Sequence, residues 1–320
     1  MKNQLMNGLR KMTQRLSAVS LLAALLAVAN PAAAQAPADT ELGPTLSRIA
    51  QDGTIYLGFR ESAMPFSYVI PNYGGAQRDA ITGYSWDVCR KIADAAQARL
   101  GKPVKVNGVT MTANGRIMMV KIGMADIECG AMTNNVARQK LVAFSDTIYI
   151  AEVKVMVRKD SGIRSLGDLG GKRVVTTLGT TADRLVKQLA ATRALSLTYL
   201  IGRSHGESMA LMNSGKADAY VGDDAIIAAQ RAESKLKDQF IFLDEALATE
   251  PYGLMLPKDD PQFKKFVDSV LVGLMQSGEL ARIYDKWFMS PIPPKDINLQ
   301  MPMTEKLKAA IANPNDTPVN

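Results

Sequence analysis

The sequence predicts an α/β fold made of two similar lobes, each a mostly parallel sheet flanked by helices, joined by two crossings of the chain. Three observations predict it. Strand-like and helix-like patterns alternate over residues 54–129 in the order β-α-β-α-β, the signature of a parallel sheet. The same alternation restarts near residue 173 and runs to residue 243. A long β-rich run at 147–159 separates the two sets, and a shorter one at 252–256 follows the second. These two runs read as the way across and the way back.

At 320 residues the chain has room for two domains. Its first residues stand apart. Residues 1–15 carry Lys2, Arg10, Lys11 and Arg15 and no acid; an apolar run at 16–29 follows, then small residues up to Ala34 and Ala36. A basic start, an apolar stretch too short to span a bilayer and an Ala-x-Ala exit read as a signal peptide over residues 1–34. An N-terminal membrane anchor is the competing reading, and the small-residue exit argues against it. No Cys stands at the cleavage site to take a lipid. The formal charge of +7 falls to +3 once those four basic residues are removed, too little to point to nucleic acid. No later apolar run is long enough to cross a membrane, so a soluble mature protein in the periplasm is expected. The chain has two cysteines, Cys89 and Cys129. Two buried free thiols are one reading; export to an oxidising compartment favours a disulfide.

The elements follow in order. Residues 44–51 look helical and end at Asp52-Gly53; 54–59 is β-rich and leads straight into Arg60. A polar, Gly-rich hairpin is expected at 72–78. Val88, Ile92, Ala95, Ala96 and Leu100 recur near the helical period, giving a helix over 87–100. A strand at 104–109, a helix at 114–122 stopped by Gly123 and a strand at 125–129 complete the first set. The second set has strands at 173–177, 197–201, 219–222 and 240–243, with helices at 182–195, 208–214 and 224–234. Phe263, Phe266, Val267, Val270, Leu271 and Leu274 form an apolar stripe on one helix face. Tyr284, Trp287 and Phe288 close a further helix before the stop Pro291-Ile292-Pro293-Pro294, and the polar tail after Asn313 is expected to fray. The lobes are therefore drawn as residues 35–149 with 250–320, and residues 150–249. A cleft between two lobes is a favoured ligand site that hinges can close.

Residues 126–146 carry the strongest chemical pattern. A strand end and Gly130 lead into Thr133-Asn134-Asn135, which opens a short helix bearing Arg138. Free N–H groups at a helix start and a nearby guanidinium fork suit a small carboxylate; an ordinary capped surface helix with a solvated Arg fits as well. Gly179-Thr180-Thr181 repeats the turn in the second lobe, and Gly222-Asp223-Asp224 offers a carboxylate for an ammonium group, or merely a helix cap. Arg60 and Arg116 follow strand ends, and taken singly read as surface residues. His205 is the one histidine, which excludes multi-His zinc sites; neither a phosphate-binding P-loop nor a dinucleotide fingerprint is present. No cofactor is expected.

The chain resembles the glutamate/aspartate-binding periplasmic proteins of ABC transporters, among the polar amino-acid (family 3) solute-binding proteins. The resemblance spans nearly the whole mature chain. It rests on Arg60-Glu61-Ser62 with Pro65-Phe66-Ser67, Glu128-Cys129-Gly130, Thr133-Asn134-Asn135 with Arg138-Gln139-Lys140, Ala143-Phe144-Ser145-Asp146-Thr147, Gly179-Thr180-Thr181, His205-Gly206, Asp223-Asp224-Ala225 and residues 258–265. It implies a hinged, two-lobed periplasmic-binding-protein-like (type II) fold. By motif, Arg138 would clamp an α-carboxylate, helped by Thr133 and Thr181. Asp223 and the carbonyl of Ala131 would take the α-ammonium. Arg60, Arg116 and His205 would surround the side-chain carboxylate. A neutral ligand would leave Arg60 and Arg116 buried without a partner, which is costly. Two positions depart from the family pattern: Ala131 and Ala113 stand where it has Ser, each removing a hydroxyl worth roughly 0.5–3 kcal/mol of binding.

The resemblance implies a monomeric receptor, not an enzyme, that closes on glutamate or aspartate and presents its closed form to membrane permease subunits. Closure depends on the ligand contacting both lobes. A periplasmic cleft enzyme resembling cyclohexadienyl dehydratase is the alternative, with Glu61, Glu128 or His205 as the nearby acids; another dicarboxylic or polar amino acid as ligand is a further one. A sensor domain fits less well, because no membrane helix or output domain follows.

Overall fold

Residues 42–71 and 80–320 are described by a computed structural model of the protein. The leader and its cleavage site lie outside them, as does the hairpin expected at 72–78.

The first sheet grows from the strand Thr54–Phe59. It pairs in parallel with Lys105–Thr110, Thr54 opposite Lys105 and Phe59 opposite Thr110, and on its other side with Ile127–Glu128. Met255–Leu256 then inserts antiparallel between Ile127–Glu128 and Ala143–Phe144. A segment from near the end of the chain thus closes a sheet begun near its start. The second sheet runs in the order Thr198–Gly202, Arg173–Thr177, Ala219–Asp223, Tyr149–Arg158, Phe240–Phe242. Its first three strands are parallel to one another; the long strand Tyr149–Arg158 and its partners are antiparallel. Both sheets are mixed, with parallel centres whose strand ends point the same way.

The two crossings lie side by side. Ala248–Tyr252 pairs antiparallel with Tyr149–Arg158, Tyr252 opposite Tyr149 and Glu250 opposite Ala151. The return strand therefore begins four residues earlier than the β-rich run at 252–256 suggests. Pro251 weakens the strand pattern in sequence, because it donates no ladder hydrogen bond; here its carbonyl accepts one from Asn134 N at 2.8 Å.

The apolar stripe at 263–274 behaves as its spacing requires. It lies on the helix Pro261–Gln276, where Phe263, Phe266, Val267 and Leu271 are buried. An aromatic cluster joins distant parts of the chain, with Phe66, Tyr84, Tyr149, Tyr252, Tyr284 and Phe288 in mutual edge or stacked contact. The helix Tyr84–Leu100 starts on Gly83, whose φ is +135°. A Cβ there would lie 2.8 Å from Cα of Ser67, so only glycine lets the helix dock against the Phe66 turn. The helix then carries Cys89 to Cys129, and the two form a disulfide.

The tail does not fray. Val136 N donates to Val319 O at 2.9 Å, Val319 N to Asn134 O at 3.2 Å and Thr147 N to Asn315 O at 2.9 Å. The polar side chains of residues 313–320 gave no hint of this, because these bonds are made by backbone groups. The tail thereby supports the loop that carries Thr133 and Arg138.

Replacing both cysteines by serine should lower unfolding stability by roughly 2–4 kcal/mol, since the bridge closes a loop with a sequence separation of 40; denaturant titration measures it. Deleting residues 315–320 should weaken ligand binding by about tenfold or more while shifting Tm by only a few degrees, read by calorimetry and thermal melting.

Candidate functional site

The site residues sit where parallel strands end. Arg60 directly follows Thr54–Phe59, Arg116 opens the helix Arg116–Lys121 beyond Lys105–Thr110, and residues 129–138 follow Ile127–Glu128. From the second sheet, Thr181 opens a helix after Arg173–Thr177, His205 opens one after Thr198–Gly202, and Asp223 ends Ala219–Asp223. Carboxyl ends of parallel strands are where open α/β sheets hold ligands. Side-chain contacts tie these positions to one crevice.

On the first wall, Arg116 Nη1 donates to Glu128 Oε1 at 3.0 Å and to the Ala131 carbonyl at 2.7 Å. Both partners of that ion pair are buried. Arg116 Nε and Glu128 Oε2 are buried with no hydrogen-bond partner among the described residues. Gly130 makes this possible, since a Cβ there would stand 2.5 Å from Glu128 Oε1 and 3.0 Å from Arg60 Cγ. Arg60 is itself buried, and burial together with the neighbouring Arg116 charge pulls its pKa down to about 10.

The helix after the Thr-Asn-Asn run is a single turn, Val136–Gln139, capped by Asn135 Oδ1, which accepts from Arg138 N at 2.9 Å. One turn carries little macrodipole, so the guanidinium of Arg138 is the main cationic group there. It donates through Nη1 to the Thr133 carbonyl at 2.9 Å and through Nη2 to the Gly179 carbonyl at 3.5 Å, reaching the second wall. Burial lowers its pKa to about 10 as well, with Arg116 adding to the effect. At Gly179 the walls touch: its φ is +79°, and a Cβ would meet Asn114 Cα and N at 2.7 Å.

His205 is buried, its Nδ1 3.2 Å from Thr177 Oγ1 and 3.1 Å from Tyr220 Oη. Burial and the charges of Arg60 and Arg116 hold its pKa well below the usual histidine value, so it stands as a neutral ring. Residues 202–206, Gly-Arg-Ser-His-Gly, have the spacing of a hydrolase nucleophile elbow. Ser204 instead caps a helix: its hydroxyl accepts from Glu207 N at 3.1 Å at the start of His205–Asn213, and the histidine beside it bonds elsewhere.

Asp223 is buried beside the Tyr252 hydroxyl, and its Oδ1 makes no well-formed hydrogen bond among the described residues. Burial, reinforced by the carboxylate of Glu250, raises its pKa to about 7. Glu250 is the residue that the sequence patterns did not reveal. It is 2% exposed, and its Oε2 accepts from Thr133 Oγ1 at 2.6 Å and from Thr181 Oγ1 at 2.7 Å. The signal for it lies in the strand period: residues two apart share a face, so an aromatic core position at Tyr252 places Glu250 on the same face. The motifs set three arginines against Asp223. The structure adds Glu128 and Glu250, and the charges in the crevice come close to balance. Ala113 and Ala131 are both buried.

Residues 55–290 match the bacterial extracellular solute-binding proteins, family 3. The chain is 38% identical over 313 residues to the glutamate/aspartate import solute-binding protein of Escherichia coli K12, covering 98% of this chain and 99% of that one. It is 41% identical over 277 residues to an L-glutamate/L-aspartate-binding protein of Pseudomonas aeruginosa, covering 86% and 90%. Among solved structures, holo ArgBP from T. maritima superposes with a TM-score of 0.63 at 29% identity, covering 75% of this chain and 98% of that one. An ancestral amino acid-binding protein, AncCDT-1, a precursor of cyclohexadienyl dehydratase, does so with 0.66 at 29%, covering 76% and 99%. The fold is the type II amino-acid-binding architecture, and the chain belongs to the bacterial extracellular solute-binding proteins, family 3.

Proposed function

We propose that this protein is a periplasmic receptor that captures glutamate or aspartate by closing its crevice and delivers it to the permease of an ABC importer. The observation that carries the reading is that the buried polar atoms left without partners among the described residues include three charged groups of the crevice, at Arg116 Nε, Glu128 Oε2 and Asp223 Oδ1. Buried donors and acceptors are ordinarily satisfied. A ligand carrying both signs of charge gives Arg116 and Asp223 partners, and the two relatives named for glutamate and aspartate support the choice.

In this reading Arg138 takes the α-carboxylate, Asp223 and the Ala131 carbonyl take the α-ammonium, and Arg60 and Arg116 hold the side-chain carboxylate beside the neutral ring of His205. The lobes are residues 35–149 with 250–320, and residues 150–249, hinged at the paired crossings. Arg138 and Asp223 come from different lobes, so the ligand favours the closed state by bonding to both. The receptor works as a monomer and changes nothing chemically. Of the three acids a dehydratase could use, Glu61 is exposed, Glu128 is already paired with Arg116, and His205 is held neutral and engaged. Product formation from a prephenate-like acid would reverse that reading.

Calorimetry should find binding of glutamate, aspartate or both. Arg138→Ala should weaken it at least tenfold, because the ligand's α-carboxylate loses its charge-assisted hydrogen bonds. Binding should also depend on pH. Asp223 in the ligand-free protein is partly protonated near neutrality, its pKa being about 7. A bound ammonium favours the carboxylate, so binding expels the proton, and affinity should rise with pH between about 5 and 8 by up to roughly tenfold per unit. Titrations in buffers of different ionisation enthalpy count the released proton; Asp223→Asn should remove the slope.

A further inference from the structure

We propose that Gly179 is a positioning residue for closure: its turn is where the second lobe meets the first, and the missing side chain there lets the crevice shut on its ligand. The proposal rests on the ligand and lobe reading above and deepens it. Gly179 lies between the strand Arg173–Thr177 and the helix Thr181–Thr192. Asn114 lies between the strand Lys105–Thr110 and the helix Arg116–Lys121. A Cβ on Gly179 would stand 2.7 Å from both Asn114 Cα and Asn114 N, and 3.0 Å from the Ala113 carbonyl carbon. All three are backbone atoms, so no side-chain rotation makes room for it. The φ of +79° favours glycine as well.

Both sides of the contact are braced. In the second lobe, Leu178 N donates to Gly202 O at 2.9 Å and Thr180 Oγ1 to Thr177 O at 2.7 Å, so the turn is pinned on each flank of Gly179. In the first lobe, Gly115 N donates to Thr112 Oγ1 at 3.0 Å and Arg116 N to Thr112 O at 3.1 Å. Those bonds fix the loop that delivers Arg116. The Gly179 carbonyl is also the group that Arg138 Nη2 reaches across the crevice, at 3.5 Å. Asn114 is exposed and Gly179 half-buried, so the contact belongs to the crevice rim and not to the ligand's immediate partners. A methyl group at Gly179 would hold the rim apart. Affinity scales with the fraction of molecules able to adopt the binding-competent state, so the loss falls equally on every ligand the crevice takes.

The test compares the mature wild-type protein with Gly179→Ala, Gly179→Asn and Gly171→Ala, using glutamate and aspartate. Asparagine tolerates the left-handed region, so Gly179→Asn adds a Cβ with less backbone strain. Gly171 has a φ of +75° and nothing within 4 Å of its Cβ position, so Gly171→Ala carries the strain without the collision. Calorimetry should show both Gly179 variants weakened by about tenfold or more for both ligands, their ratio held within about twofold, and Gly171→Ala unchanged. Small-angle scattering should show the wild type and Gly171→Ala becoming more compact with saturating ligand, and the Gly179 variants doing so less or not at all. Thermal melting of the ligand-free proteins checks that each variant is folded. Wild-type affinity in Gly179→Asn would mean that only the backbone angle matters there, and would overturn the proposal. Equal weakening in Gly171→Ala would make the effect general strain, and a changed ratio would put Gly179 among the ligand's own contacts; either overturns it. Wild-type protein that binds neither amino acid would refute the ligand reading, and this inference with it. Wild-type protein that binds and compacts, with Gly179 variants that do the same, would refute the inference alone.

Discussion

A buried charge without a partner is among the costliest features a fold can hold, and this crevice gathers buried Arg60, Arg116, Glu128, Asp223 and Glu250, with half-buried Arg138, from five separate stretches of chain. The rest of the structure answers that constraint. Arg116 is matched by Glu128 and a carbonyl, and Arg138 by carbonyls of both walls. Thr133 and Thr181 neutralise part of Glu250 by hydrogen bonding. Arg116 Nε, Glu128 Oε2 and Asp223 Oδ1 are left without a partner among the described residues.

The scaffold keeps these groups in place through connections remote from the chemistry. The disulfide anchors the strand end at Cys129 to the long helix behind the sheet. One residue later, Gly130 gives Arg60 and Glu128 room to pack. The C-terminal tail then ties the backbone at Asn134 and Val136, so the loop between Thr133 and Arg138 is fixed at both of its edges. The two crossings run side by side, and a Cβ at Gly179 would meet the Asn114 backbone at 2.7 Å. A glycine with positive φ is required there on both counts, for its backbone angle and for the space.

Much of this was legible in the sequence. The strands and helices announced themselves by period, as with Phe263 to Leu274. Arg60 directly follows a strand, Asp223 ends one, and Arg116, Thr133, Arg138, Thr181 and His205 lie in the loops and helix starts beyond strand ends, so a parallel-sheet reading already places them at the carboxyl edges of the sheets. Three features were hidden for physical reasons. Glu250 sits beside a proline in a polar stretch, and its role depends on two threonines far away in sequence. The pairing of Glu128 with Arg116 depends on strand order, which periodicity does not reveal. The tail is held mainly by its own backbone groups, which its side-chain pattern does not report. The expected excess of positive charge failed for the first two of these reasons: the acids that balance the arginines are on neighbouring strands rather than neighbouring residues.

The proposed reading segregates the ligand's charges, its carboxylates at the arginines and its ammonium at Asp223. A crystal structure of the mature protein with L-glutamate tests that segregation without intermediaries. The α-carboxylate should lie on Arg138, the ammonium against Asp223 and the far carboxylate between Arg60 and Arg116. Guanidiniums turned out to solvent, or a ligand seated away from Asp223, would contradict it.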